Sequence, residues 1–326
     1  MHLQDKNRGG GIKMKKWYPC ELHCHTLHSD GSFSVKELLD TADARHLSGI
    51  CLTDHNTVSG WDEVDLYARI PVLKGTEYTT YHGHILSLNA GRMIDCFNIC
   101  DIDKELRAIR ESGGLVGMAH PYQLGTPICT GGRWDYDVKD FSLINYMEIW
   151  SEGEMLMTPA NCRARKWWLS LLDEGYRITP TFGRDWHRTK GNKLLGACTL
   201  LHIDGEITAE KMKSAIKEGR TQLSLGITLN VSADGKAPGD RISSGKTVFR
   251  ISLDRSRAEL FADEYTLCAE TVKVITNGDT TVYEGKAENC ELTLETKENS
   301  YYVFELWGRL NGEGNHLISL SAPIYA

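Results

Sequence analysis

The chain has 326 residues, 41% of them hydrophobic and 25% charged, with 37 Lys and Arg against 44 Asp and Glu for a net charge of −7. Such usage excludes a disordered or fibrous protein, and the acidic balance argues against a surface that coats nucleic acid or an anionic membrane. The length suits one large α/β domain with a smaller appendage.

Residues 1–16 are polar and glycine-containing, lack the apolar stretch of a signal peptide, and read as an unstructured tail. The next apolar run carries Glu21-Leu22-His23-Cys24-His25. Successive side chains of a strand point to opposite faces, so His23 and His25 share one face and Cys24 turns away. Ser34 and Glu37 then form a capping-box pair, Val35, Leu38, Leu39 and Ala42 recur at helical spacing, and Gly49 is expected to stop the helix. Gly49 to Thr53 reads as a second strand and Ile70 to Leu73 as a third.

The alternation continues with a helix over Lys104 to Ser112 and a strand over Leu115 to Ala119. Strands over Tyr146 to Trp150, Arg177 to Thr181 and Ala197 to Leu201 follow, with helices over Arg163 to Glu174 and Glu210 to Lys217 between them. Strands alternating with helices are the mark of βα units, and a closed barrel of parallel strands over residues 17–225 is the simplest closure. From residue 226 to 326 the texture changes to short β-branched runs, with Asp234-Gly235 and Asn277-Gly278 as hairpin signals. This region reads as an all-β, sandwich-like accessory domain.

Ten cysteines with no Cys-x-x-Cys pair read as free thiols of a reducing compartment. No run approaches the roughly 18 apolar residues of a membrane span, so the expected location is cytoplasmic, without a membrane partner.

Ligand-type residues gather at the predicted strand ends: His23, His25 and Asp30 after the first, His55 after the second, Glu77 after the third, then His84, His120, Asp185 and His187. In a βα barrel these ends meet at one mouth. A lone histidine is more often packed or solvated than a ligand, but six histidines at successive strand ends, two of them in one His-x-His segment and one in an Asp-x-His segment, point to a metal centre. Nitrogen and oxygen donors without thiolate suit Zn, Mn or Fe.

These motifs resemble the polymerase-and-histidinol-phosphatase (PHP) superfamily, and within it the metal-dependent phosphoesterases and a carbaryl-hydrolase-like branch. The resemblance is carried by His23-x-His25 with Ser29-Asp30-Gly31, Thr53-Asp54-His55, Gly75-x-Glu77, Gly83-His84, His120-Pro121 and Asp185-x-His187. It implies a distorted (β/α)7 barrel with two or three divalent ions at its mouth. One ion would lie among His23, His25, Glu77 and Asp185. A second would take Glu77 as a bridge with His84 and His120, and a third would use Asp30, His55 and His187. Where the family often carries histidine, this chain carries Asp30.

The chemistry expected of such a centre is hydrolysis, since a bound cation lowers the pKa of water to about 7 and clamps phosphate oxygens. The leading reading is a phosphoesterase acting on a small phosphorylated molecule, a phosphomonoester or phosphodiester, rather than on a nucleic-acid polymer. Asp185 is expected to orient or accept the proton of the attacking water, and Glu77 to bridge the ions, with a proton shuttle at Glu77 as the alternative. Arg184, Arg133 and Trp186 are the expected substrate contacts. Hydrolysis of a carbamate, ester or amide at the same centre is one alternative. A non-catalytic metal-binding module is another, and the sequence leaves a homo-oligomer open.

Overall fold

The first strand, β1 (Lys15–Cys24), begins two residues before the start expected at residue 17. Lys15 and Lys16 are drawn into it by pairing with Asp204 and Ile203, and the Trp17 ring stacks 4.6 Å from that of His202. The computed structural model describes residues 15–90, 101–123, 133–152, 158–189 and 194–326. Helix α1 (Val35–Ala44) forms as its pattern predicts: Ser34 Oγ accepts the N–H of Glu37, and the Glu37 carboxylate takes the N–H of Ser34 at 2.8 Å. Its buried face is Val35, Leu38, Leu39 and Ala42, and each of its larger side chains contributes about 1.5–3 kcal/mol. The helix stops at Ala44, where His46 turns left-handed (φ 54) and the N–H of Leu47 reaches back to the carbonyl of Ala42. Gly49 is therefore not the stop. It opens the next strand, where a Cβ would lie 2.6 Å from Met212 Sδ.

Strands β2 (Gly49–Leu52), β3 (Val72–Thr80), β4 (Gly83–Leu88), β5 (Leu115–Met118), β6 (Tyr146–Ser151) and β7 (Thr179–Gly183) follow β1 side by side. Helices α2 (Trp61–Tyr67), α3 (Ile102–Glu111) and α4 (Pro159–Asp173) lie in the connections. β1, β2 and β3 run parallel, as do β5, β6 and β7. β4 breaks the all-parallel expectation by pairing antiparallel with both β3 and β5. The reason is local: Thr80 pairs with Gly83 across a two-residue turn, which leaves no chain for a crossover helix. Beyond β7 the chain returns to β1, where Trp186 and Cys24 form a parallel bridge.

β8 (Cys198–Asp204) pairs antiparallel with the first half of β1, and helix α5 (Ala209–Lys217) leads from it to β9 (Thr221–Ser224). Beyond β9 come β10 (Thr228–Ala233), β11 (Gly245–Asp254), β12 (Leu267–Thr276), β13 (Thr280–Lys286), β14 (Cys290–Thr296), β15 (Tyr301–Leu310), β16 (Glu313–Ser321) and β17 (Ile324–Tyr325). β9 pairs with both β8 and β16, so one sheet of 14 strands runs through the described residues and across the boundary expected at 225/226. The smaller sheet β10-β11-β14 packs on it, with the Phe249 ring 5.3 Å from that of Phe304. The molecule is thus a mixed α/β fold dominated by sheet, with a β-rich C-terminal region. Among the described residues no helix is long and apolar enough to cross a membrane.

Candidate metal centre

The His-x-His and Asp-x-His segments lie side by side because their middle residues pair. Trp186 N–H donates to the carbonyl of His23 (2.9 Å), and His25 N–H donates to that of Trp186 (3.0 Å). Period-two alternation then turns Cys24 and Trp186 together into the apolar layer beside α1, and His23, His25, Asp185 and His187 inward. A second parallel bridge joins His55 to Glu77, and the hairpin of β3 and β4 sets His84 beside Glu77. Asp54 holds the loop after His25, accepting from Thr26 N (2.6 Å), Thr26 Oγ1 (2.7 Å) and Ser29 Oγ (2.8 Å). Gly31 closes that loop where a Cβ would sit 2.4 Å from the carbonyl oxygen of His25.

Three groups of donors result: His23, His25, Glu77 and Asp185; Glu77, His84 and His120; and His25, Asp30, His55 and His187. Within each, the ligand atoms lie within 4.8 Å of one another. Every metal-type residue expected from the sequence is brought into one of these groups, and His25 belongs to two. Glu77 is their hub. Its Oε2 lies 3.0 Å from His23 Nε2, 3.3 Å from His25 Nε2 and 3.0 Å from His55 Nδ1. Its Oε1 lies 2.8 Å from His84 Nδ1 and 3.1 Å from His120 Nε2. Asp185 Oδ1 closes the first group at 3.4 Å from His23 Nε2 and 3.0 Å from His25 Nε2. Asp30 Oδ1 lies 3.1 Å from His187 Nε2 and 3.4 Å from His55 Nε2.

The donors fit a divalent cation on two counts. His23 Nε2, both ring nitrogens of His25, Glu77 Oε2 and Asp185 Oδ1 are buried without a hydrogen-bond partner among the described residues. Such atoms are costly to leave in a protein interior. Tetrahedral N and O ligands about 2.0–2.1 Å from zinc stand about 3.3 Å apart, and the first group spans 3.0–3.4 Å between the atoms that face each other. The backbone supports this closeness at some strain: Asp185 (φ 54) and His120 (φ 22) both hold positive φ.

Electrostatics tie the cluster together. Burial disfavours every charge here, yet His23, His25 and His84 or His120 around them hold Glu77 and Asp185 well below the usual carboxylate range. Burial likewise lowers His55, but Asp30 and Glu77 outweigh it and lift the imidazole from 6.5 to about 10. His23, His120 and His187 are raised against burial by the same carboxylates. A histidine with a raised pKa contributes stability that is whole below its unfolded value and lost as pH rises through the folded one; a carboxylate with a lowered pKa contributes above its unfolded value. Metal-free protein should therefore be most stable near pH 5–6.5 and weaken toward pH 10. With excess zinc or manganese the slope should reverse, because cations take deprotonated imidazoles. Thermal unfolding at several pH values, with chelator and with metal, reads both slopes; a metal-free Tm that climbs from pH 6.5 to 9 would contradict the first.

Two of the expected substrate contacts are corrected. Arg184 is buried, and its Nη2 donates to the carbonyls of Ala197 (2.9 Å) and Leu194 (3.3 Å) while Nε lies 3.4 Å from Glu21 Oε2. It is a brace: its guanidinium is spent on these buried partners just beyond the end of β7, and burial lifts its partner Glu21 to about 7. Arg184→Ala should keep its metal and lose about 1.5–3 kcal/mol of stability in urea unfolding; loss of metal instead would show that the guanidinium serves the centre. Trp186 is also buried, packing edge-on to Phe33 (5.3 Å) beneath the Arg45 guanidinium (4.7 Å). Arg133 stands exposed, 3.4 Å from Asp135.

Sequence reasoning missed Glu148. This buried side chain of β6 lies 3.0 Å from His23 Nδ1 through Oε1 and accepts the backbone N–H of His120 at 2.9 Å through Oε2. The signal was a lone acid inside the apolar strand Tyr146–Ser151. Thr79, whose hydroxyl meets His55 Nδ1, was missed as well.

Comparison with known proteins agrees with the geometry. Residues 21–111 match the PHP domain. The chain is 38% identical over 76 residues to a 5'-3' exoribonuclease of Haemophilus influenzae, a match that takes in 21% of this chain and 28% of that enzyme's length. It is 30% identical over 142 residues to an uncharacterized protein of Methanocaldococcus jannaschii, covering 38% of this chain and 80% of that one. Across 98% of this chain and the whole of the other, the fold is similar to that of a two-domain protein from Bacteroides vulgatus containing a predicted PHP-like metal-dependent phosphoesterase, with a TM-score of 0.53 and 15% identity. The matched segment holds His23, His25, Asp30, His55, Glu77 and His84, and on these grounds residues 21–111 of the chain are a PHP domain.

Proposed function

We propose that this chain is a metal-dependent hydrolase whose substrate is a small phosphomonoester or phosphodiester. Residues 17–225 act as a distorted (β/α)7 barrel that holds the centre, and residues 226–326 as a β accessory domain. The observation that carries the reading is Glu77: its two oxygens face separate sets of imidazoles, so two cations can share one carboxylate. One ion would be held by His23, His25, Glu77 and Asp185, a second by Glu77, His84 and His120, and a third by Asp30, His55 and His187. Zinc, manganese or iron held there supplies Lewis acidity and a water acidic enough to ionise near neutral pH.

The chain's own groups do the rest. Asp185 Oδ1 faces the imidazoles of His23 and His25, which leaves Oδ2, 3.9 Å from His120 Nε2, as the atom that receives and orients the proton of the attacking water. Glu77, which the charged imidazoles hold ionised in metal-free protein, would offset the charge of the ions. The exposed Arg133 would serve as an outlying contact for the phosphate that bound ions would attract.

Purified protein loaded in turn with manganese, zinc and iron should release phosphate or nucleoside from a panel of phosphomonoesters, cyclic nucleotides and dinucleotides. Short oligoribonucleotides belong in the panel because the matched Haemophilus influenzae relative is an exoribonuclease. Silence across the panel under all three metals would overturn the proposal. Turnover of aryl carbamates or aryl esters alone would instead favour the carbaryl-hydrolase-like reading.

A further inference from the structure

We infer that Glu148 is the positioning residue of this centre, one carboxylate that fixes a ligand in each of the two groups meeting at Glu77 and so makes those two groups load with metal together. The inference rests on the metal reading above. Its ground is the placement of the carboxylate, which is 1% exposed and spends both oxygens on the neighbours of the site. Oε1 and Oε2 lie 3.0 and 3.2 Å from His23 Nδ1, and Oε2 also accepts the N–H of His120 at 2.9 Å.

The first contact selects a tautomer. A neutral imidazole has one donor and one acceptor nitrogen, and a carboxylate at Nδ1 places the proton there. The lone pair is then on Nε2, which faces two further carboxylate oxygens, Glu77 Oε2 at 3.0 Å and Asp185 Oδ1 at 3.4 Å. Among three acceptors a cation is the stabilising occupant. The second contact holds backbone. His120 carries φ 22, a conformation that needs outside support, and its Nε2 is aimed at the other oxygen of Glu77, 3.1 Å away.

Neighbouring β7 keeps the space open. A Cβ on Gly183 would lie 1.8 Å from Glu148 Oε1 and 2.7 Å from the Cβ of His23. Glycine at 183 is thus required by the carboxylate, and Gly183→Ala should reproduce the loss of Glu148 without touching it. His25 has no equivalent partner, since its Nδ1 makes no hydrogen bond among the described residues while its Nε2 faces Asp185 and Glu77. Glu148 therefore acts on one ligand per group.

Glu148→Gln is the direct test. An amide offers one acceptor oxygen and an NH2: with its oxygen toward the N–H of His120 it turns the NH2 to His23 Nδ1, where Oε1 stood at 3.0 Å, and with its oxygen in that nearer place it turns the NH2 to the N–H of His120. Zinc affinity, read by chelator competition, should fall about 10–100-fold at both groups in parallel, and the visible spectrum of the cobalt-loaded protein should change. A metal-free Tm close to wild type shows that the fold is kept. If the variant fails to fold, long-range 1H–15N spectra of the wild type decide: the zinc-loaded protein should carry the His23 proton on Nδ1. Wild-type affinity, stoichiometry and cobalt spectrum in the glutamine variant would overturn the inference alone, as would a His23 proton on Nε2. A wild-type protein that binds no metal would overturn the metal reading and this inference with it.

Discussion

Glu77→Gln should strip metal from both groups that share this residue and reduce hydrolysis by more than about 100-fold. Loss of an outer partner of a ligand costs about 10–100-fold in affinity, and Glu77 is itself the shared ligand. Oε1 serves His84 and His120, and Oε2 serves His23, His25 and His55. An amide keeps one oxygen and turns an NH2 toward nitrogens that must present lone pairs. It also removes the most deeply placed negative charge of the cluster, so any cation bound there loses its main charge compensation. Elemental analysis of the purified variant, beside a circular dichroism spectrum showing that it is folded, checks the point. A folded variant with the wild-type metal content would contradict it.

Arg165→Ala should lower stability by about 3–5 kcal/mol, the cost of leaving a buried charge without its partner. Arg165 lies on α4 and is buried, with Nε 2.9 Å and Nη2 2.6 Å from Glu305 Oε1 on β15. The same guanidinium grips Asp279 in two-pronged fashion at 3.0 and 3.1 Å. It is raised above its ordinary value against the pull of burial by Glu305 and Asp279, which marks the pair as charged and mutually dependent. Removing Arg165 leaves Glu305, 1% exposed, as an unpaired carboxylate between the helix and the sheet. Urea unfolding measures the loss. The double change Arg165→Met with Glu305→Leu should recover most of it, because apolar packing replaces a buried ion pair at little cost. A single variant within 1 kcal/mol of wild type, or a double variant no better than the single, would show that the pair is not a linchpin.

Much of the site was legible because ligand residues obey local rules. His23-x-His25 reads as one face of a strand without any knowledge of what it packs on. The capping box of α1 is likewise a matter of Ser34 and Glu37 alone. The misreadings arose where a distant partner decides. Nothing near Arg184 in the sequence names Glu21 or the carbonyl of Ala197 as its partners. Trp186 could have been placed correctly, since the alternation that turns Cys24 outward applies equally between Asp185 and His187. β4 was hidden because Tyr81-His82 lacks the usual hairpin residues, and only Gly83 (φ 138) marks the turn. Glu148 was hidden for a related reason: an acid in an apolar strand announces that it has partners without saying which.

The central claim is that these side chains form a centre for divalent cations, and a metal titration of the chelator-stripped protein tests it most directly. Two or more zinc or manganese ions per chain should bind tightly, with release of protons as the imidazoles of His23, His55 and His120 give them up. A folded protein that takes up no tightly held divalent ion, and releases no protons when metal is added, would contradict the account.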